Sequence, residues 1–287
     1  MKKTFCLALA GLLACTPLLA ARLSLKMSGG FGYYPGGDFN AGLKGLDAWA
    51  KDFYDNVQGS YGRLDKGWES EAELELELDK PLSLGLAVGY RRMQMESQIS
   101  YDWNLLGIAV NTRERFQTRL ASVPLTLFLH ARFPLGRLLR LNLSAGLEYC
   151  LHWFRYGEHY ESTVFLNSAE DYVFQASRDT AGLRAGAGLE AALGPHLSLI
   201  LEMEGRSSQL TDLEGSFERS GQLFGLTYAD SGRDHALWYY EESQQGIKYP
   251  KILFATDPPL SGDFGSGRAA SLGLSGLLAR AGLRLSF

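Results

Sequence analysis

Residues 68–79 place an acidic side chain at every second position: Trp68-Glu69-Ser70-Glu71-Ala72-Glu73-Leu74-Glu75-Leu76-Glu77-Leu78-Asp79. In a helix these carboxylates would scatter around the axis, whereas in a strand they all point to one side. The intervening positions carry tryptophan, serine, alanine and three leucines. This stretch therefore predicts a β-strand with one acidic face and one apolar face.

The same period of two recurs in seven other segments along the chain, which are 23–33, 82–91, 122–133, 139–153, 182–193, 197–204 and 279–287. Short polar connections (79–81, 134–137 and 194–196) alternate with long ones (35–66, 96–115, 155–178 and 206–268). We therefore predict an all-β fold, an antiparallel up-and-down transmembrane β-barrel of eight strands with long extracellular loops. Residues 270–278 break the alternation of the last strand, and a bulge near Leu277 would explain the break.

Glycines on the charged face indicate which side of the barrel meets lipid. An eight-stranded barrel is barely wide enough for side chains, so long charged residues inside it need small neighbours. The leucine-rich face carries aromatic residues near its ends, as a lipid-facing band does. The alternative is a soluble lipocalin-like barrel or a β-sandwich, in which the charged face would coat the exterior.

The amino terminus has the organisation of a secretory signal peptide. Lys2 and Lys3 precede an apolar run over 5–14, and the small pair Ala20-Ala21 follows. We expect cleavage of 1–21 and a single barrel domain over 22–287. The alternatives are an uncleaved membrane anchor and a lipobox that would acylate Cys15. The formal net charge of −4 gives no reason to expect nucleic acid as a partner.

The signal peptide, the eight alternating strands and the terminal Leu283-Arg284-Leu285-Ser286-Phe287 resemble the OmpA-type and OmpW-type outer-membrane β-barrel superfamily. The resemblance implies residence in a Gram-negative outer membrane, in contact with its lipid and lipopolysaccharide. It also implies that Leu283, Leu285 and Phe287 form the signal read by the barrel-assembly machinery. Since the chain stops at the last strand, we expect no periplasmic domain.

The charged face is expected to hold ion pairs inside the barrel. Strand order brings Glu190, Glu202 and Glu204 towards Arg280 and Arg284, because desolvated charges persist only when paired. Lys26 is expected to approach Glu73 or Glu75. The predicted lumen network comprises Lys26, Glu73, Glu75, Glu77, Arg132, Arg140, Glu148, Arg184, Glu190, Glu202, Glu204, Arg280 and Arg284. Glu69, Glu71 and Arg91 lie on the same face. Such a network would plug the lumen; the alternative is a narrow channel for small or hydrophobic solutes.

Two long connections contain secondary structure of their own. Residues 43–57 carry apolar side chains at a spacing of three to four and predict an amphipathic helix, which caps the barrel or lies on the membrane surface. Residues 236–242 and 248–254 predict an extracellular hairpin, or alternatively two further spanning strands that would make ten.

Candidate catalytic residues occur only within loops. Asp234 and His235, with Asp230 nearby, lack the second carboxylate pair that an omptin-like site needs, and His159, Ser162 and Glu158 crowd into one connection. We therefore predict a structural or surface-interaction role with an extracellular ligand at the loops, no enzymatic activity, no cofactor and no metal. A rim-located enzyme is the third hypothesis, after the channel.

Overall fold

The computed structural model describes residues 22–105, 107–163, 168–223, 225–259 and 267–287. The predicted signal peptide, 1–21, and the candidate lipidation site at Cys15 lie outside these ranges. Cys150 is a buried free thiol. No helix within the described ranges is both long enough and apolar enough to cross a membrane.

Within the described ranges the chain folds into β-strands and one helix, and the predicted all-β antiparallel fold is confirmed. The helix is α1 (Gly37–Phe53). The longer strands are β1 (Leu23–Tyr33), β3 (Lys66–Asp79), β4 (Leu82–Leu105), β5 (Ile108–Pro134), β6 (Leu139–Ser162), β7 (Ser168–Ala192), β8 (Leu197–Ser207), β10 (Glu214–Leu223), β11 (Leu226–Gln244), β12 (Ile247–Ala255) and β15 (Gly276–Ser286). The short strands are β2 (Asp55–Gly59), β9 (Gln209–Leu210), β13 (Arg268–Ala269) and β14 (Leu272–Gly273).

Eight of these strands are joined by antiparallel pairings that return to their starting point. From β1 the path runs through β3, β4, β5, β6, β7, β8 and β15, and β15 pairs again with β1. Lys26 of β1, for example, lies opposite Glu73 of β3 on one side and Arg284 of β15 on the other. We call the end with the tight β3–β4, β5–β6 and β7–β8 turns the lower end, and the opposite end the upper end.

The two faces of these strands differ in burial. Near the lower end the buried, inner face carries the charged residues, among them Lys26 and Arg284, each 1% exposed. The outer face carries leucines such as Leu74, Leu147 and Leu201, which are 49–63% exposed. The sheet therefore buries its charges and exposes its apolar side chains.

The long polar loops predicted for 96–115 and 155–178 are wrong, because these residues extend the strands. β4 runs to Leu105 and β5 starts at Ile108, while β6 and β7 continue to Ser162 and from Ser168. The alternation persists but its polarity reverses: Met93, Met95 and Ile99 are buried, whereas Gln94 and Glu96 are exposed. We call the part above this reversal the upper tier (92–121, 153–178, α1, β2 and β10–β12), and the remainder of the eight strands the lower tier.

The helix was predicted over 43–57 but lies at 37–53, because polar contacts fix an earlier start. Gly36 precedes it with φ 76°, a conformation that favours glycine. The Asp38 carboxylate then accepts hydrogen bonds from the backbone and side chain of Ser271 at 2.9 and 2.7 Å. The chain becomes extended at Tyr54, so the carboxyl-terminal part of the predicted helix is strand β2, which pairs with β4.

The predicted hairpin at 236–254 exists and is longer than expected. β11 and β12 are joined at Gln245-Gly246 and pair with each other, and β11 pairs with β10. β10 in turn pairs with the upper part of β7, at 169–176, whereas β8 pairs with its lower part, at 183–192. The sheet therefore divides along β7, and β10–β12 belong to the upper tier.

The bulge predicted near Leu277 is not present, since pairing of β15 with both β1 and β8 passes through Leu277 without a register shift. Ala270, Leu272 and Leu274 are buried, as are Leu278 and Arg280 further along. Even-numbered residues thus face inwards throughout. The alternation is hard to see in the sequence because the inner-facing residues are apolar up to Leu278 and charged at Arg280 and Arg284.

The interior of the upper tier is an apolar core built around α1. Phe39 packs edge-on against Phe154 at 5.6 Å between ring centroids, and Leu43 is fully buried. A Cβ added at Gly45 would overlap the Pro250 carbonyl oxygen, so the helix lies directly against β12. Together with Tyr34, Leu120 and Phe174, α1 fills the space enclosed by the upper strands.

Candidate functional site

The inner face of the lower tier holds a buried charge network of eight glutamates, seven arginines and one lysine. Its members are Lys26, Glu69, Glu71, Glu73, Glu75, Arg91, Arg132, Arg140, Glu148, Arg184, Glu190, Glu202, Glu204, Arg206, Arg280 and Arg284. Their formal charges cancel. This balance matters because a buried charge without a partner costs several kcal/mol.

The top of the network is organised around Glu69. Arg206 donates to both Glu69 oxygens at 2.9 and 3.0 Å, and Arg91 Nε donates to the same carboxylate at 2.9 Å. Arg206 Nη2 also lies 3.0 Å from Glu148 Oε2. Tyr34 from the segment above accepts a longer bond from Arg206 at 3.4 Å, which joins the network to the apolar core.

The centre of the network is held by two arginines that share two carboxylates. Arg184 binds Glu204 through two parallel bonds of 2.6 and 2.9 Å, a geometry that only a guanidinium can supply, and reaches Glu71 at 2.6 Å. Arg280 bonds the same Glu71 and Glu204 at 2.5 and 2.6 Å. The Arg184 guanidinium also lies 4.8 Å above the Phe128 ring. Four strands are thereby tied across the interior.

The lower part of the network closes the remaining cross-section. Lys26 bridges Glu73 and Glu202 at 3.1 and 2.9 Å. Arg284 bridges Glu75 at 2.6 Å and Glu190. Arg132 joins Glu75, and the half-exposed Arg140 joins Glu190 at 3.4 Å, where the network reaches the lower rim.

Glycine leaves the room that these side chains need. A Cβ added at Gly85 would overlap Glu73 Oε1, and one added at Gly188 would approach Glu202 Cγ to 2.6 Å. Both glycines lie on the inner face, opposite the strands that carry these glutamates. The charged side chains are therefore packed at the density of a core.

One corner of the network brings together residues with metal-ligand chemistry. Donor atoms of Glu73, Glu75 and His130 lie within 4.8 Å of one another, and His130 Nε2 is 2.5 Å from Glu73 Oε1. Lys26, Arg132 and Arg284 already neutralise these carboxylates. Since cationic side chains surround the space where an ion would bind, the corner is better described as part of the network than as a metal centre.

Twelve of the thirteen residues predicted for the lumen lie in this network. The exception is Glu77, which is half-buried near the lower end and, within the described ranges, lies in no ion pair. Arg206 was missed because it was assigned to a loop, although it continues the alternation of Glu202 and Glu204. Leu283 and Leu285 lie on the outer face, and Phe287 is 72% exposed with its N–H bonded to the Leu23 carbonyl.

Two carboxyl groups in the upper tier, the buried Glu114 and the half-buried Glu158, have tyrosines as their hydrogen-bond partners. Glu114 accepts from Tyr61 at 2.8 Å and from Tyr101 at 2.6 Å, and Glu158 accepts from Tyr156 at 2.9 Å. Burial raises the pKa of Glu158 to about 7, and the nearby Glu114 adds to the rise. Burial likewise raises the pKa of Glu114. The apolar core above the network thus contains acids that gain protons readily.

The candidate catalytic groups are not assembled for catalysis. His159 lies on the outer face with both ring nitrogens against carboxylates, at 2.7 Å from Asp171 and 3.1 Å from Glu161, whereas Ser162 is buried on the inner face. Asp234 has φ 65° in an irregular stretch of β11, and the ring of its neighbour His235 lies 4.0 Å from that of Phe217. Neither set provides a free base beside a nucleophile.

No family model matches the chain, and no curated protein matches it. Among solved structures, the chain is similar to a major outer membrane protein from Thermus thermophilus, with 17% identity, TM-score 0.39, and coverage of 93% of this chain and 100% of that one. It is also similar to the outer membrane protease OmpT from Escherichia coli, with 9% identity, TM-score 0.26, and coverage of 93% and 96%. The translocator domain of the autotransporter NalP from Neisseria meningitidis is similar at 9% identity and TM-score 0.21, with coverage of 100% and 95%.

The prediction that the chain is not an enzyme is contradicted by the second of these similarities, because OmpT is a protease. At 9% identity the similarity assigns no activity to this chain, so the prediction is withdrawn without a reaction in its place.

Proposed function

We propose that this protein is an outer-membrane barrel with a sealed lumen, which presents its upper tier as a rigid extracellular surface for interaction. The observation that carries the proposal is the charge-balanced network across the lower tier, with the core around α1 above it. A solute would have to break buried ion pairs and then displace packed aromatic side chains.

The returning path of strand pairings supports a closed barrel of eight strands. Closure leaves no unpaired strand edge in hydrocarbon, where an unpaired N–H or C=O group costs several kcal/mol. The outer face supports the membrane location. At ~3.3 Å per residue and a tilt of ~40°, residues 123–133 of β5 extend about 25 Å along the axis, the height of a lipid-facing band. Trp68 and Trp153 lie at its upper edge, on the outer face.

The upper tier supports an extracellular role. Residues 92–105 of β4 extend roughly 33 Å beyond the band on the same geometry. Their outer face is polar, and a packed core fixes their shape. We place the short turns of the lower end in the periplasm, because outer-membrane barrels keep their short turns there.

Export and assembly complete the proposal. Residues 1–21 would direct secretion and be removed, and Leu283, Leu285 and Phe287 would engage the barrel-assembly machinery, as in OmpA-like and OmpW-like barrels. The outer face would contact outer-membrane lipid and lipopolysaccharide, and the ligand would bind the upper tier.

Planar-bilayer recording tests the sealed lumen. The purified protein, shown to be folded by a heat-modifiable gel shift, is expected to give no unitary conductance steps. The Arg184→Ala/Glu204→Ala/Arg280→Ala variant removes the centre of the network and is expected to leak if it folds. Stable steps from the wild-type protein, abolished by Arg280→Ala or Glu202→Ala, would favour the narrow channel and overturn the sealed barrel.

A further inference from the structure

Two arginines lie opposite each other on the outer face, just above the apolar band. Arg119 of β5 pairs in register with Arg155 of β6, and one step below them Ala121 pairs with Trp153. Like charges at directly opposed positions destabilise a sheet. Within the described ranges neither arginine lies in an ion pair, and Arg119 Nε is buried without a hydrogen-bond partner. The protein thus maintains an uncompensated pair of guanidinium groups at this level.

These arginines line a groove of about 810 Å³ that runs across β5, β6 and β7 to the neighbouring strands β10 and β11. Trp153 and Ser177 form its lower margin, and Gln175 lies beside Arg155 in register. The far side is irregular, because the pairing of β10 with β11 shifts between Gly215 and Phe217. The irregularity places Arg233 and Asp234 in the groove lining, together with Glu214.

We propose that this groove binds the phosphorylated saccharide headgroup of an outer-leaflet glycolipid, an inference that rests on the proposed membrane location. Paired guanidinium groups match the oxygens of a phosphate, and their mutual repulsion is relieved when a phosphate lies between them. Gln175, Ser177 and the carboxylate of Asp234 offer partners to sugar hydroxyls. Arg119, Arg155 and Arg233 outnumber Glu214 and Asp234, so the groove favours an anion.

The position of the groove selects a lipid over a free anion. Trp153 is 48% exposed at the edge of the apolar band, where an indole ring sits between acyl chains and headgroups. From Trp153 downwards the outer face of β6 continues with Leu151, Tyr149 and Leu147, and the Tyr149 hydroxyl donates to the exposed Asp179 carboxylate at 2.6 Å. A headgroup in the groove would therefore direct its acyl chains along Trp153, Leu151 and Leu147, past the Tyr149–Asp179 pair, and free phosphate cannot use these apolar side chains.

Binding to the intact protein in detergent tests the proposal, with lipid A, phosphatidylglycerol and inorganic phosphate as probes and tryptophan fluorescence as readout. The Arg119→Gln/Arg155→Gln variant is expected to bind lipid A about tenfold or more weakly, because it loses the charge-assisted hydrogen bonds to the phosphate. The matched control is Arg113→Gln/Arg115→Gln, which makes the same charge change higher on the outer face of β5 and is expected to bind as the wild type does.

A charge reversal separates binding from folding. Arg155→Glu places a carboxylate directly opposite the Arg119 guanidinium and so replaces a repulsive pair by an attractive one. The lipid-free variant is therefore expected to unfold at a higher temperature than the wild type, while its binding of lipid A is lost. Equal binding by the wild type and the double variant would overturn the proposal, and so would binding of inorganic phosphate as tight as that of lipid A. Failure of the wild-type protein to show a heat-modifiable shift or to insert into vesicles would instead overturn the membrane location.

Discussion

Replacing Arg184 with methionine should expose how strongly the buried charge network is coupled. The guanidinium is fully buried and binds Glu71 and Glu204 through three bonds of 2.6–2.9 Å. Methionine fills much of the volume but leaves the two carboxylates short of a cation. Removing one partner of a buried pair costs about 3–5 kcal/mol, and we expect a loss of that size in the free energy of unfolding.

The second half of the experiment is a double-mutant cycle with Glu204→Gln. This change alone leaves Arg184 and Arg280 without a full counter-charge and should cost a similar amount. The Arg184→Met/Glu204→Gln variant has a charge-balanced interior again, so its loss should fall below the sum of the two single losses by about 2–3 kcal/mol.

The assay is denaturant unfolding of protein folded into phosphatidylcholine vesicles, followed by tryptophan fluorescence and by the gel shift of the folded form. Arg113→Met, an exposed change on β5, serves as the control and should alter stability by less than about 0.5 kcal/mol. Additive losses in the cycle would refute the idea of a coupled, neutral network. Wild-type stability of Arg184→Met would refute the burial of a charged guanidinium at this position.

Three further perturbations probe other parts of the fold. Because burial raises the pKa of Glu158 to about 7, its protonated form stabilises the upper tier at acidic pH. This stabilisation should be complete below about pH 4.5 and disappear as pH rises through 7. Hydrogen-exchange measurements on 153–162 should therefore show protection that falls with rising pH, and Glu158→Gln should weaken this pH dependence. An unchanged pH dependence in the variant would remove Glu158 as its source. Gly45→Val should displace α1 from β12, lower the free energy of unfolding by about 1–3 kcal/mol and make α1 accessible to protease. Lys44→Val, an exposed change on the same helix, serves as the control and should do neither. Equal protease protection of the two variants would contradict the contact with Pro250. Phe287→Ala removes a side chain that is 72% exposed, so the free energy of unfolding in detergent should change by less than about 0.5 kcal/mol. If Phe287 acts in assembly, the yield of folded protein in cells should nevertheless fall. An unchanged yield would argue against an assembly role.

Most of the lower tier could be predicted from the sequence, because strand alternation is a local property. Successive side chains point to opposite faces whatever the strand pairs with, so Glu69 to Glu75 had to share a face once 68–79 was a strand. The charged face could be turned inwards because glycines such as Gly85 and Gly188 left space for it, and the structure places both against glutamates.

The upper tier was misjudged for a physical reason that concerns solvent. Residues 96–115 alternate as regularly as the strands below, but their outer face is polar and their inner face mostly apolar, as expected if they lie above the proposed membrane. The pattern of leucines on one face therefore ends at 92 in β4, although the strand continues to Leu105. The helix was displaced by several residues because its start depends on Ser271, which is remote in sequence, binding Asp38.

By itself the sequence determined which side chains face together, and hence that one face of the lower strands is charged and the other apolar. Only the tertiary structure decided which charges meet. Arg184 lies in one strand and its partners Glu71 and Glu204 lie in two others, so their contact depends on the relative register of three separate segments. Alternation within a strand carries no information about the register between strands that are distant in sequence. The cost of burying an unpaired charge does constrain that register, and in the observed register each buried glutamate of the network contacts a cation.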